Sequence, residues 1–324
     1  MEEFMKKRIA LLIFAALSLT VLLGPKVKVD RNINPVELPP DLDRYLAESE
    51  SRFKDIVPGT EKKIIWNNPA KKDKTKISII YLHGFSATRP EVSPLCENIA
   101  KSLSANLYFT RLRGHGRGTE AMKGITVNDW LTDTVEAVEI GRRIGEKVII
   151  ISTSTGGTLT AWYGLEKDTK DILGVVMISP NFYPARSSSR ILTWPWGKQL
   201  GRLILGEYRE WKPQNEMHAK YWTYRQPSEI AVTMMGLVDM LMKMDFSKFN
   251  LPMLMIVSPK DKVVNVPLAK KRFEEASSRV KEIYEVTDSV DGSSHVVAGD
   301  ILSPNTTGKL SSEITRFIRA LDAR

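Results

Sequence analysis

The 324-residue chain is predicted to fold as an α/β protein. The expected architecture is a doubly wound, mostly parallel sheet, with an inserted helical cap and an N-terminal signal anchor. Three observations carry this. Short apolar strand-like runs alternate with helical ones from residue 63 onward. The run at 148–151, Val-Ile-Ile-Ile, is apolar throughout, as in a strand covered on both faces. One stretch, 181–248, breaks the rhythm. Apolar residues make up 42 % of the chain, enough for a sizeable core.

Taken in order, Lys6, Lys7 and Arg8 precede an uncharged apolar run at 9–23, the two parts of an export signal. The run falls short of the ~20 residues that span a bilayer. No small-x-small cleavage site ends it. Residues 1–24 are therefore expected as an uncleaved signal anchor; a cleaved signal and a buried soluble helix are the alternatives. The body is expected on the non-cytoplasmic side, an orientation weakly specified because Lys26, Lys28 and Arg31 lie beyond the run. Pro25, Pro35, Pro39 and Pro40 mark residues 25–40 as an extended linker. A helix starting near Asp41 should carry Leu42, Tyr45, Leu46 and Phe53. Strands are expected at 63–66, 77–82 and 106–110. Residues 127–144 form an amphipathic helix with Val127, Leu131, Val135 and Val138 on one face, a stripe that ends at Arg142. A strand at 148–151 leads to a helix from about Gly156. Further strands are expected at 173–178, 253–257 and 283–286, and a final helix at 307–321. The α/β core would thus comprise residues 41–180 and 249–324.

Residues 181–248 hold four tryptophans, Trp194, Trp196, Trp211 and Trp222, and six of the twelve methionines. This is expected as a helical cap between two sheet strands. Its aromatics and methionines suit an ordinary core as well as a substrate wall.

The net charge of +9 suits anionic surfaces. The chain shows neither Cys/His metal spacing nor an RNA-binding signature, so membrane lipid rather than nucleic acid is the expected partner. Cys96 is the single cysteine, which excludes an intramolecular disulfide.

The chemistry begins at residues 150–158, "IISTSTGGT". A strand ending in a sharp turn lifts one side chain above the sheet edge, and the following helix aims free N–H groups at that point. The turn demands small residues two before and two after the nucleophile. Ser152 and Gly156 meet that demand, although Ser152 stands where Gly is usual, so Ser154 is the candidate nucleophile. A Ser/Thr-rich helix N-cap would also suit the pattern. A serine hydroxyl needs a base. Of four histidines, His83, His115, His218 and His295, the last stands in "DGSSHVV" ahead of the final helix, where the base is expected. Asp261, three residues past the strand-ending Ser258, is the expected acid; Asp245 and Asp291 are weaker rivals. The oxyanion needs two N–H donors. Thr155 follows the nucleophile, and Phe85 follows His83-Gly84 at the end of an early strand.

The HGF loop, "RLRGHG" at 111–116, the elbow, Asp261 and His295 together resemble the α/β-hydrolase superfamily. Within it the chain resembles bacterial carboxylesterases, monoacylglycerol lipases and serine aminopeptidase-like hydrolases, from about residue 76 to the end. The resemblance implies a serine hydrolase of acyl or monoacylglycerol-like esters, with no metal or organic cofactor. It also implies structural roles for Arg111, Arg113 and His115, and His83 is read as part of its loop. A peptidase would share the triad and should offer a cap carboxylate to a substrate amine, with Glu207, Glu210 and Glu216 as options. A haloperoxidase-like or C–C hydrolase shares it too. A membrane-tethered, non-catalytic binding module should have lost a triad member, and none is lost.

Overall fold

The computed structural model describes residues 1–323, at 2, 10, 14–19, 21 and 22 by backbone alone. In chain order the helices and strands are α1 Glu2–Leu22, α2 Leu42–Ser51, β1 Lys63–Ile65, β2 Thr75–Leu82, α3 Leu95–Leu103, β3 Asn106–Phe109, α4 Val127–Ile144, β4 Gly145–Thr153, α5 Thr155–Glu166 and β5 Ile172–Ile178. There follow α6 Gly197–Leu205, β6 Tyr208–Glu210, α7 Glu216–Tyr221, β7 Arg225–Pro227 and α8 Glu229–Met242. The chain closes with β8 Met253–Val257, α9 Val266–Glu275, β9 Lys281–Glu285 and α10 Pro304–Asp322.

Seven strands form one sheet in the order β1-β3-β2-β4-β5-β8-β9. Only β1 runs antiparallel to its neighbour; every other pairing is parallel. Each central strand serves two cores because its side chains alternate. Ile80, Leu82, Val148 and Ile150 face one core with α4, α5 and α9. Ile79, Tyr81, Ile149 and Ile151 face the other, with α3 and α10. This two-sided burial is why residues 148–151 carry no polar side chain.

Between β5 and β8 the chain leaves the sheet and builds α6, the two-stranded β6–β7 ribbon, α7 and α8. The ribbon's far end is tied down where Thr223 N–H donates to Ser86 O at 2.8 Å. Residues 25–40 carry no helix or strand, yet they are packed rather than loose. Val27, Val29, Ile33, Val36 and Leu38 rest on the first core, and Lys167 Nζ donates to Ile33 O at 2.7 Å.

One expectation is corrected. Phe53 does not extend the stripe of α2, which ends at Ser51; it lies beneath the Arg117 guanidinium, 4.1 Å from its ring centre. The apolar run 9–23 falls on α1, although the side chains at 10, 14–19, 21 and 22 lie outside the described residues. Among the described residues no helix is long and apolar enough to cross a membrane.

Candidate active site

Ser154, Asp261 and His295 lie on the segments that follow β4, β8 and β9, at the carboxyl edge of the sheet. Ser154 follows β4 directly and precedes α5, with φ 52° and ψ −112°. A non-glycine residue at such φ is strained and must be held by its surroundings. Its N–H donates to Ile178 O at 2.9 Å, and its carbonyl accepts from Asn181 N–H at 2.9 Å. The tightness of the turn is visible at Gly156, where a Cβ would lie 2.0 Å from the Leu82 carbonyl oxygen. Ser152 fits because its side chain turns into the sheet. It is fully buried and its Oγ donates to Val176 O at 3.2 Å, so the elbow loses nothing by lacking the usual glycine there.

His295 stands on the loop before α10. Its Nδ1 is 2.8 Å from Asp261 Oδ2, and the Asp261 side chain is fully shielded from solvent. The other carboxylate oxygen accepts Val263 N–H at 2.7 Å and Val264 N–H at 3.1 Å. An ionised Asp261 can only accept, so the imidazole carries its proton on Nδ1 and presents the Nε2 lone pair. Burial alone would lower the His295 pKa; the Asp261 hydrogen bond and charge, with Asp291 and Glu91, outweigh it and leave the pKa raised. The loop is stapled beside the elbow, since Ser179 Oγ donates to His295 O at 2.7 Å, and Ser179 follows Ile178, the residue that holds Ser154 N–H.

Two N–H groups are unclaimed. Among the described residues neither Phe85 N–H nor Thr155 N–H has a hydrogen-bond partner. The Gly84–Phe85 peptide is held from its carbonyl side, where Gly84 O accepts from His83 Nδ1 at 2.9 Å and from Ala87 N–H at 3.3 Å. A trans peptide then turns Phe85 N–H the opposite way. His83 Nε2 accepts Leu112 N–H at 3.0 Å, and burial first, then the nearby His115, depress its pKa well below the usual value. A neutral, doubly bonded ring suits loop structure, not proton transfer.

The "RLRGHG" stretch is likewise a brace. Arg111 forms a bidentate pair with Glu50 of α2 at 2.9 and 2.7 Å and donates to His115 O at 3.0 Å. Arg113 N–H donates to Asp133 at 2.7 Å, and its guanidinium pairs with Asp129 at 2.7 Å. His115 is buried, with a pKa lowered to about 4 by that burial. His218 is packed between Trp211 and Trp222 in the α7 region, ring centres 4.7 and 4.6 Å away.

Of the rival acids, Asp245 is remote and serves only to cap the short helix Phe246–Lys248. Asp291 belongs to the site in another way. Its carboxylate accepts His295 N–H at 2.8 Å and Val296 N–H at 3.1 Å, Ser293 Oγ at 2.5 Å and N–H at 3.3 Å, and Gln214 Nε2 at 2.7 Å. Burial would raise its pKa, but these hydrogen bonds win and lower it. Sequence reasoning weighed Asp291 only as an acid; its spacing four residues before His295 was the available signal. Glu91, a buried carboxyl beneath Gly84, was missed altogether, because "TRPEVSP" reads as an exposed turn.

A strained serine between a parallel strand and its helix, with a histidine–aspartate pair on two later loops of the same sheet, suits an α/β-hydrolase. The chain belongs to the family described as Serine aminopeptidase, S33, whose model matches residues 73–295. It is a hydrolase of the carboxylesterase and lipase type and resembles monoacylglycerol lipases and esterases. A thermostable monoacylglycerol lipase from Bacillus sp. (strain H-257) is 26 % identical over 214 residues, covering 66 % of this chain and 82 % of the relative. A structure from work on the metagenome-derived lipolytic enzymes LipS and LipT superposes with TM-score 0.64 at 20 % identity, covering 82 % of this chain and 99 % of the other. The monoacylglycerol lipase of Paleococcus ferrophilus gives TM-score 0.59 at 16 % identity over 80 % and 98 % of the two chains. At such identities the structural likeness speaks for the fold.

Proposed function

We propose that the protein hydrolyses carboxylic esters, acyl esters or monoacylglycerol-like lipids, through an acyl-enzyme. Ser154 Oγ attacks the ester carbonyl while His295 Nε2 takes its proton. Asp261 holds the imidazole tautomer and stabilises the imidazolium. The Phe85 and Thr155 N–H groups receive the oxyanion. The imidazolium returns its proton to the departing alcohol. Water, deprotonated by the same histidine, then releases the acid. The observation that carries this reading is the 2.8 Å His295–Asp261 contact beside a strained Ser154. The lipid-ester substrate class draws support from the monoacylglycerol lipase name of the Bacillus relative.

A peptidase reading takes support from the family's description, but it needs a carboxylate for the substrate amine. Glu207 and Glu210 are exposed and already paired with Arg202 and Arg225, and Glu216 is exposed in the first turn of α7. The ester reading is therefore preferred. A fluorophosphonate probe should label the wild type at Ser154 and fail on Ser154→Ala, and p-nitrophenyl esters should turn over where aminoacyl-nitroanilides do not. Labelling at Ser152, or faster anilide cleavage, would overturn the assignment.

The region between β5 and β8 is read as a cap that also meets lipid. Trp194, Leu203 and Ile204 are exposed, at 54, 82 and 56 %, among Arg190, Lys198 and Arg202. Trp196 N–H donates to Pro25 O and its indole to Thr20 O, so the end of α1 lies on the same face. Tryptophan and basic side chains around exposed aliphatics suit an anionic bilayer surface.

A further inference from the structure

One buried carboxyl at the site has no part in the triad or the oxyanion donors. Glu91 ends the single-turn helix Arg89–Glu91 and is 1 % exposed. Its Oε1 accepts Gly84 N–H at 2.6 Å and Tyr81 O–H at 2.7 Å. With its proton on the carboxylate, the Tyr81 oxygen accepts from Thr153 Oγ1 at 2.8 Å, and Thr153 is the residue before Ser154. The carboxyl thus ties the oxyanion loop to the strand that carries the nucleophile. A Cβ built on Gly84 would have Glu91 Oε2 at 3.1 Å and Ser154 Cβ at 3.3 Å, so carboxyl and nucleophile face the same glycine. The histidine loop closes from a third direction. Gly299 has φ +95°, and a Cβ there would lie 2.1 Å from the Glu91 carbonyl oxygen.

We propose that Glu91 is a positioning residue for ester hydrolysis: its carboxyl holds Gly84, and through it the Phe85 N–H, against the elbow, and its charge acts on His295. The proposal rests on the serine-hydrolase reading above. Gly84 is free to rotate about both backbone bonds. His83 and Ala87 fix the peptide that follows it, and Glu91 fixes the one that precedes it. Burial raises the Glu91 pKa to about 7, against the opposing pull of Tyr81, Gly84 and His295. The groups that face it are Tyr81 from β2, Cys96 from α3, and His295 with its own partners Asp261 and Asp291. Burial holds the Tyr81 hydroxyl and the Cys96 thiol well above their ordinary values, so neither ionises near neutrality. In that window an ionised Glu91 favours the imidazolium form of His295.

The test is kcat/KM for p-nitrophenyl butyrate against pH, with fluorophosphonate labelling followed in the same samples. Glu91→Gln keeps an acceptor oxygen for both donors but loses the charge. Its acid limb should move to lower pH by roughly half a unit to one unit, and Tyr81→Phe should move it the same way by less. Glu91→Leu leaves Gly84 N–H unpaired; kcat should fall about tenfold to a hundredfold, with KM for the short ester little changed and the loss smaller in Glu91→Gln. A merely structural role would leave the acid limb in place. An unmoved limb in a Glu91→Gln protein that still labels at Ser154 overturns the proposal, as does full kcat in Glu91→Leu. Absence of labelling in the wild type would overturn the serine-hydrolase reading and this proposal with it.

Discussion

Replacing Asp291 with alanine is expected to slacken the histidine loop while leaving the histidine's own partner untouched. Five hydrogen bonds end on this carboxylate: from Gln214, from the Ser293 N–H and Oγ, and from the His295 and Val296 N–H groups. Gln214 and Ser293 lie toward the surface and can turn to water. The N–H groups of His295 and Val296 are buried and cannot. Two buried donors left unpaired cost about 1–3 kcal/mol each, so the substitution should cost about 2–6 kcal/mol in all. For a chain of this size that lowers Tm by roughly 3–9 °C. Turnover should fall about tenfold to a hundredfold, since a displacement near 1 Å in a catalytic group is enough for that. Thermal unfolding and p-nitrophenyl butyrate hydrolysis, read on the same preparation, measure both. The stability gap also has a pH signature. The Asp291 pKa is lowered in the folded state, so its contribution is complete above the unfolded value of roughly 4 and disappears as pH falls through the folded one. The gap should hold constant from pH 5 to 8 and close on further acidification. A Tm within about 2 °C of wild type would refute the reasoning. A large turnover loss without any stability loss would place Asp291 in the chemistry instead.

Asp261→Asn should lower ester turnover by about 10⁴ by favouring the wrong imidazole tautomer; His295→Ala should be at least as severe, and His218→Ala mild. Equal damage at His218 would mean the base is misassigned. Gly156→Ala must push apart the elbow and Leu82, whose carbonyl oxygen would lie 2.0 Å from the new Cβ; a cost of ~3 kcal/mol and a large loss of turnover are expected, measurable by urea unfolding. Ser152→Gly should forfeit the bond to Val176 and stiffen nothing, costing about 1–2 kcal/mol, while ester turnover persists; lost activity there would show that the serine is required and not merely small enough. Protein lacking residues 1–24 should bind anionic vesicles at low salt and release them as salt rises. Replacing Arg190, Lys198 and Arg202 with glutamine should weaken that binding by about 1 kcal/mol each, and no binding at low salt would remove the lipid-facing role of the cap.

Much of this protein was legible in one dimension because its strong signals are local. The all-apolar run 148–151 declares a strand buried on both faces, and the alternation with 127–144 and 307–321 declares a layered parallel sheet. The elbow is a short-range steric object, so the tight turn at Ser154 could be read from the sizes of Ser152 and Gly156. The proposed order Ser154, Asp261, His295 follows from chain topology. Tertiary structure alone decided what depends on burial and on neighbours distant in sequence. Asp291 and Asp261 are both aspartates on late loops; their jobs separate only when one is seen to accept the His295 and Val296 N–H groups and the other the His295 imidazole. Glu91 lies in a Pro-rich turn that reads as solvent-exposed, and it is the fold that seals it beneath Gly84 with Tyr81 from β2. The prolines of 25–40 announce extended chain but are silent on whether it packs; Val27 against Gly236 shows that it does. Local sequence sets backbone preference and periodicity, whereas the dielectric and hydrogen-bond partners that give a carboxyl its role exist only once remote segments have met.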